Sequence, residues 1–544
     1  MATFRNFELP GRSAVYSCNA MAATSQPLAT LAALDILREG GNALDAAIAA
    51  CAVQCVVEPQ STGIGGDCFC LYAPSNSNDV IAYNGSGRAP AGLSIDYLAS
   101  KGQLLERTSP HAVIVPGAVD AWDTLNRDHG RLPLSALLQP AIQYAQDGFP
   151  IAPRVARDMY LQTDLFSDNA NWMKIFKPEG KVLGSGEMLF QPQLANSLEL
   201  IANQGSDAFY RGEIATDIVK TLQSLGGVHT LDDFADARGE YVQPIKTDFR
   251  SRTVYECPPN GQGLIALVLL NMMSQFEVEG DVLSVERMHL EIEACRLAYQ
   301  ARSRYVADPA FSDVPVEQML SEEYTKQLCA SIDRKRAKTG LSSSVAIKSG
   351  AEHQDTVTLS VVDAQGNACS FINTLFWPFG SGITTENTGV VLTNRGEGFV
   401  LDPDSPNCLE PNKRPLHTII PGMVKQGKRN VMPFGVMGGE YQAMGHMQFL
   451  TRMLDYDCDV QQAQDLPRYM VSPFTGEVEV ETGIDASTRE ALQAMGHNVV
   501  SAENPIGGSQ AIHIHTEEIT PGGAGSVVLS GGSDPRKDGI AAGY

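Results

Sequence analysis

The chain has 544 residues, with 40 Lys+Arg against 63 Asp+Glu for a net charge of −23, and 43% hydrophobic against 19% charged residues. At about 150 residues per domain this globular composition fits two to four units of core or one large one, and it excludes disorder, collagen and coiled coil. The acidic excess is spread along the chain and repels phosphate backbones and anionic lipid, so nucleic acid and membrane surfaces are poor partners and a small molecule is the expected substrate.

Met1-Ala2-Thr3-Phe4-Arg5 leads into polar sequence without the apolar core of a secretory signal, which predicts a cytoplasmic protein. Ala29 to Arg38 carries apolar residues at helical spacing, and Gly40-Gly41-Asn42 stops it. Ala43 to Val57 is apolar nearly all round, as a buried helix is. This stretch and Leu264 to Met273 are shorter than the ~20 residues that cross a bilayer, so no span is expected. The glycine-rich bend Pro59 to Asp67 precedes a short strand, Cys68 to Tyr72; it lacks the spacing of a phosphate loop and reads as a structural turn. Residues 150 to 350 read as mostly amphipathic helix, for example Gln193 to Gln204 and Val285 to Val306, with no catalytic signature. The eleven cysteines form no C-x-x-C pair and read as reduced small hydrophobes. His513 and His515 lie close together without a third ligand, so neither a metal nor a cofactor is expected.

After a polar, small-residue loop at 340 to 355 the character changes to strand. Thr356 to Val362 is β-branched and alternating, Asp363-Ala364-Gln365-Gly366-Asn367 reads as a turn, and Ala368 to Leu375 is a second strand. With Gly366 left-handed in a three-residue loop, the pairing places Thr356 opposite Thr374 at the open end of the hairpin. Two facing threonines are ordinary strand packing unless something activates one of them. A threonine at the start of a chain has its own α-amine as base. A hydroxyl held against the preceding carbonyl can liberate that amine by N-to-O acyl shift and hydrolysis, here cutting Asp355–Thr356.

The sequence resembles the γ-glutamyltransferases, also called γ-glutamyl transpeptidases or glutathione hydrolases, of the N-terminal-nucleophile hydrolase superfamily. The resemblance runs from GGNALDAAIAA and STGIGGD through HAVIVPGAVDAW and DTVTLSVVDAQGNACSF to PNKRPLHTIIP, MGGE and SDPRKDGIAAGY. It implies an α+β fold, a four-layer αββα sandwich, made as a precursor that cleaves itself into a large chain, 1–355, and a small chain, 356–544, forming one intertwined unit. By the same resemblance Thr356 is the nucleophile, Thr374 the threonine that activates it, and Gly438 and Gly439 supply oxyanion-hole N–H groups. The implied partners are an amide or γ-glutamyl donor and a water or amine acceptor; self-association is left open.

The departures concern the substrate. The arginine that holds the substrate α-carboxylate in typical members aligns with Ser86, and Arg88 is the nearest candidate. Positions that usually offer an asparagine, a glutamine and an aspartate hold Phe376, Arg395 and Gly398, so the usual ammonium acceptor is missing. A serine pair is replaced by His417-Thr418, and Phe399 to Pro411 is shorter than the lid loop of many members. Arg395 could clamp a carboxylate or form a structural ion pair; His417 could orient substrate or be a buried, hydrogen-bonded histidine. Glu397 or Glu440 could replace the ammonium acceptor. The pattern is closer to the lidless branch, with γ-glutamyltransferase-like, oxamate amidohydrolase and cephalosporin acylase-like members. The main reading is γ-glutamyl transfer or glutathione hydrolysis; the alternatives are another amide donor, such as oxamate or a glutaryl amide, and a silent binding relative.

Overall fold

The computed structural model describes residues 11–338, 356–516 and 527–544. Two seven-stranded sheets stack face to face. The first runs in the order Ile540–Gly543, Met21–Thr24, Val357–Val362, Ala368–Thr374, Asp67–Ala73, Ile81–Gly85, Glu240–Val242. The second runs Val15–Ser17, Val527–Ser533, Gly508–Thr516, Arg429–Met437, Pro421–Gln426, Arg252–Glu256, Ile245–Phe249. Every neighbouring pair in both is antiparallel. Both sheets take strands from before and after position 356.

Strand periodicity sorts the side chains into layers. Phe69, Leu71 and Ala73 point between the sheets, where they meet Met423, Ile512 and Leu529 of the second sheet. Their neighbours Cys68, Cys70 and Tyr72 point outward with Leu359, Val361 and Phe371, onto a helical layer that includes Pro27–Arg38, Ala43–Val57 and Leu134–Asp147. On the far side Gly263–Met273, Val285–Tyr305 and Tyr441–Leu454 cover Val254, Val424, Phe434 and Val436 of the second sheet. The result is the expected four-layer αββα sandwich. Helix Ala43–Val57 is buried over its whole length, which explains its lack of a polar face.

The described part of 150 to 350 is mostly helical, as expected, with three further strands between 240 and 256 that the sequence pattern does not signal. Glu240–Val242 and Ile245–Phe249 lie at sheet edges and Arg252–Glu256 next to one, and each is only three to five residues long and partly exposed, too short to stand out among the helices around it. All eleven cysteines are free thiols. Among the described residues no helix is long and apolar enough to cross a membrane.

The sheets approach closely near the hairpin. Ser370 Oγ donates to the Phe434 carbonyl at 2.7 Å and Ser360 Oγ to that of Gln510 at 3.1 Å, bridging the layers. Thr358 packs on Gly435, where a β-carbon would lie 2.0 Å from Thr358 Oγ1. The hairpin is also tied to its own helical layer: Asp363 in the turn accepts from Asn367 N at 3.0 Å and from Ala43 N, at the start of the buried helix, at 3.0 Å.

Candidate active site

The hairpin pairs as its turn dictates, from Val362 with Ala368 out to Val357 with Asn373, and Gly366 has φ +81°. That register brings the next two residues together: Thr356 Oγ1 lies 3.1 Å from Thr374 Oγ1. Both threonines are buried, as are the groups around them. Phe376 N donates to Thr374 Oγ1 at 2.8 Å, through a backbone held at φ +84°, a costly conformation for an aromatic residue that its surroundings must enforce. The bend at 59–67 closes against the same end; a β-carbon on Gly66 would lie 2.1 Å from the Thr374 carbonyl oxygen. The carbonyls of Gly65 and Gly66 accept backbone N–H groups of Thr393, Gly117 and Ala118, as in a structural turn.

On the second sheet, Arg429–Met437 ends at Gly438 and Gly439, three residues beyond the Gly435 contact. Their φ values are +120° and +56°, both left-handed. Neither buried N–H donates a hydrogen bond among the described residues, whereas buried amides are nearly always paired. Such amides suit an oxyanion. Gln262 Nε2 donates to the Gly439 carbonyl at 3.0 Å and to that of Thr418 at 2.9 Å, and its Oε1 accepts from Arg302 Nη1 at 2.7 Å. Arg302 also pairs with Glu440, whose carbonyl accepts the Tyr299 hydroxyl. Glu440, one of the two carboxylates offered as a replacement ammonium acceptor, is thus ion-paired with Arg302 beside the glycine pair. Glu397 accepts from Asn394 Nδ2 at 2.8 Å.

Arg395 is 1% exposed. Its Nη1 donates to Thr418 Oγ1 at 3.1 Å, and its Cζ lies 3.7 Å above the Phe376 ring. An unbroken set of contacts therefore joins Thr356, Thr374, Phe376, Arg395, Thr418, Gln262 and Gly439. A match across the chain accompanies this arrangement. The family model described as Gamma-glutamyltranspeptidase covers residues 29–544. The chain is 38% identical over 523 residues to a glutathione hydrolase-like YwrD proenzyme of Bacillus subtilis, covering 95% of this chain and 97% of that protein. It is 32% identical to an oxamate amidohydrolase proenzyme of Klebsiella pneumoniae, over 97% of this chain and 99% of that one. A solved cephalosporin acylase from Bacillus halodurans superposes with a TM-score of 0.89 at 37% identity, covering 100% of this chain and 99% of that one.

The chain belongs to the γ-glutamyltranspeptidase family. It is an enzyme of that family, with the N-terminal-nucleophile hydrolase fold.

Other candidates have different surroundings in this γ-glutamyltranspeptidase-family enzyme. His417 Nε2 lies 3.0 Å from Asp67 Oδ2, and its Nδ1 accepts from Ile419 N at 3.4 Å. Both ring nitrogens are used by the protein, so His417 is the buried, hydrogen-bonded histidine rather than a substrate ligand. Burial, with Arg395 close by, pushes its pKa down to about 4, and the ring is neutral at pH 7. Asp67 lies opposite Thr374 in the sheet, and its other oxygen accepts Gly87 N at 2.9 Å. His417 thus braces the strand behind the hydroxyl pair.

Arg88 is half-exposed and bound to Asp308 at 3.2 Å and to the Asn412 carbonyl at 3.1 Å. It lines a cavity of about 320 Å³ whose walls include Ser86, Tyr210 and Asp233 but neither threonine of the hydroxyl pair, nor Arg395. The structure does not bring Arg88 to the candidate site. Asp355 lies outside the described residues. Sequence reasoning missed Asp67, Gln262 and Arg302. Asp67 closes the glycine-rich STGIGGD bend and Gln262 lies in the Pro258-Pro259-Asn260-Gly261-Gln262-Gly263 loop before an apolar helix, whereas Arg302 had no local signal.

Proposed function

We propose that this enzyme matures by cleaving its own Asp355–Thr356 bond and then transfers acyl groups from amides to Thr356, releasing them to water or an amine. The freed α-amine of Thr356 takes the hydroxyl proton, Oγ1 attacks the amide carbonyl, and Gly438 and Gly439 N–H groups receive the developing oxyanion. The amine returns the proton to the leaving nitrogen, and an acyl ester on Thr356 remains. Thr374 donates its hydroxyl to Thr356 Oγ1 as charge builds there. The observation that carries this reading is the 3.1 Å pair of buried hydroxyls, one of them on the residue that follows the proposed cut. After the cut, 1–355 and 356–544 stay together because each sheet interleaves strands from both.

The family's commonest donors are γ-glutamyl amides and glutathione. A specific observation favours the alternative, an acyl amide without an α-amino group such as oxamate or a glutaryl amide: the buried cation Arg395 is linked to the hydroxyl pair through Phe376, while Asp67 and Glu440 are paired with His417 and Arg302.

Denaturing electrophoresis tests the maturation step. Active wild type is expected as bands of 355 and 189 residues, the smaller starting at Thr356, and Thr356→Ala as one full-length, inactive band. Competent enzyme running as a single full-length band would sink the reading. Anilide release by Thr356→Ala at the wild-type rate would do the same.

A further inference from the structure

Gly438 and Gly439 follow a place where two strands part. Pairing between Pro421–Gln426 and Arg429–Met437 stops with Pro421 opposite Gly435. The backbone N–H groups one step further, on Ile420 and Val436, go to side chains of the helix Tyr441–Leu454: Ile420 N donates to Gln442 Oε1 at 3.1 Å and Val436 N to His446 Nε2 at 3.3 Å. Gln442 and His446 are four residues apart and share one face of that helix. A buried N–H beyond the end of a strand ladder needs another acceptor, and here the helix supplies both.

His446 and Glu256 are fully buried, and the acyl transfer proposed for Thr356 uses neither. His446 Nδ1 lies 2.7 Å from Oε1 of Glu256, the last residue of strand Arg252–Glu256. Because Nε2 accepts the Val436 N–H, its lone pair is free and the ring proton sits on Nδ1, which donates it to Glu256. The Phe434 ring packs against the imidazole with centroids 4.7 Å apart, and a β-carbon on Gly445 would lie 2.6 Å from Val436 Cγ1, so helix and strand meet closely and the imidazole has little room to turn.

The glycine pair lies between these two elements. The Gly438 and Gly439 carbonyls accept Tyr441 N and Gln442 N, each at 3.1 Å. A trans peptide sets its N–H opposite its C=O, so drawing the Gly438 carbonyl into the helix turns the Gly439 N–H away from it. The bond from Val436 to His446 closes this strand, glycine and helix unit from the strand side.

We propose that His446, oriented by Glu256, is a positioning residue for the oxyanion hole: by fixing the strand end at Val436 to the helix that follows the glycines, it holds the Gly438 and Gly439 N–H groups where negative charge develops. The proposal rests on Thr356 being the nucleophile and on the two glycines being its oxyanion donors. His446 acts through the backbone and keeps its proton throughout.

The test measures kcat and KM of processed enzyme with glutaryl and γ-glutamyl p-nitroanilides, and melting temperature, for His446→Leu, which keeps bulk without an acceptor, and His446→Gln, which restores an oxygen acceptor. Formation of the acyl ester and its release both pass through an oxyanion, so the two steps should slow together and leave KM nearly unchanged. In His446→Leu kcat is expected to fall roughly 10-fold or more, part of the loss that follows removal of an oxyanion donor, with KM within about twofold. His446→Gln is expected to recover kcat to within about threefold of wild type, because an amide oxygen can accept the Val436 N–H. A His446→Leu enzyme that melts lower but keeps the wild-type kcat, one that changes KM alone, or a His446→Gln enzyme no faster than His446→Leu overturns the proposal. Should His446→Leu fail to mature, Glu256→Met decides: with its acceptor gone the ring is no longer oriented, and kcat should fall roughly threefold or more at constant KM, whereas an unchanged kcat overturns the proposal. Failure of the underlying reading looks different: wild type that is not processed, or turnover that survives Thr356→Ala.

Discussion

Replacing Thr374 by valine removes one oxygen and keeps the side chain's shape. That oxygen lies 3.1 Å from Thr356 Oγ1 and accepts Phe376 N at 2.8 Å, so two effects are expected. The Phe376 N–H is left buried without an acceptor, a loss of about 1–3 kcal/mol in stability. The barrier rises because Thr356 Oγ1 loses its donor as it ionises and then carries the acyl group. A hydrogen bond to a charged partner is worth about 1.5–3 kcal/mol, which corresponds to a roughly 10- to 150-fold fall in kcat. Self-cleavage uses the same oxygen and should slow by a similar factor. The assay follows appearance of the two bands with time after synthesis and, separately, anilide turnover by fully processed enzyme, with Thr374→Ser as the variant that keeps the oxygen. If Thr374→Val matures and turns over within threefold of wild type while melting at a lower temperature, the hydroxyl is only structural and the proposed activation is wrong.

Gly438→Ala forces a side chain onto φ +120°, with its β-carbon 2.8 Å from Gly507 Cα, and should tilt the oxyanion N–H away; losing such a donor lowers kcat by about 100- to 1,000-fold in steady-state kinetics, and a fall below tenfold would remove the assignment. Gly435→Ala places a β-carbon 2.0 Å from Thr358 Oγ1 between two sheets, so calorimetry should show a loss of about 1–3 kcal/mol. A melting temperature equal to wild type would mean that the layers are not closely packed there. Acid should destabilise the fold through His229 and His417, both pushed by burial from 6.5 down to about 4. Because the folded pKa values are lowered, the native state binds fewer protons than the unfolded chain between those limits; their contribution is complete above about pH 6.5 and is lost as pH falls toward 4. In His417→Gln that part of the pH dependence should shrink in melts at constant ionic strength, and an unchanged slope would contradict the assignment of a neutral ring.

Local chemistry made the hairpin legible. A left-handed Gly366 and the side chain of Asp363 define a turn within five residues, and the two-residue period of a strand carries that register to Thr356 and Thr374. The strands of 240 to 256 were not legible, because at three to five residues each they are too short to stand out among the helices around them. Asp67, Gln262 and Arg302 escaped for a different reason. Each lies far along the chain from the residue it supports, and a buried polar side chain shows its role only once its partner is in place.

By itself the sequence determined the strand pair, the opposed hydroxyls, the glycines able to adopt left-handed backbone and, by resemblance, the layered fold. These follow from short-range sterics and from ordered motifs. Tertiary structure alone decided that Glu440 pairs with Arg302, that His417 serves Asp67, that Arg88 belongs to another cavity, and that two buried nitrogens of Arg395 have no hydrogen-bond partner. Burial and partnership depend on which distant segments meet, and they set whether a charged side chain is satisfied by the protein or kept for a ligand.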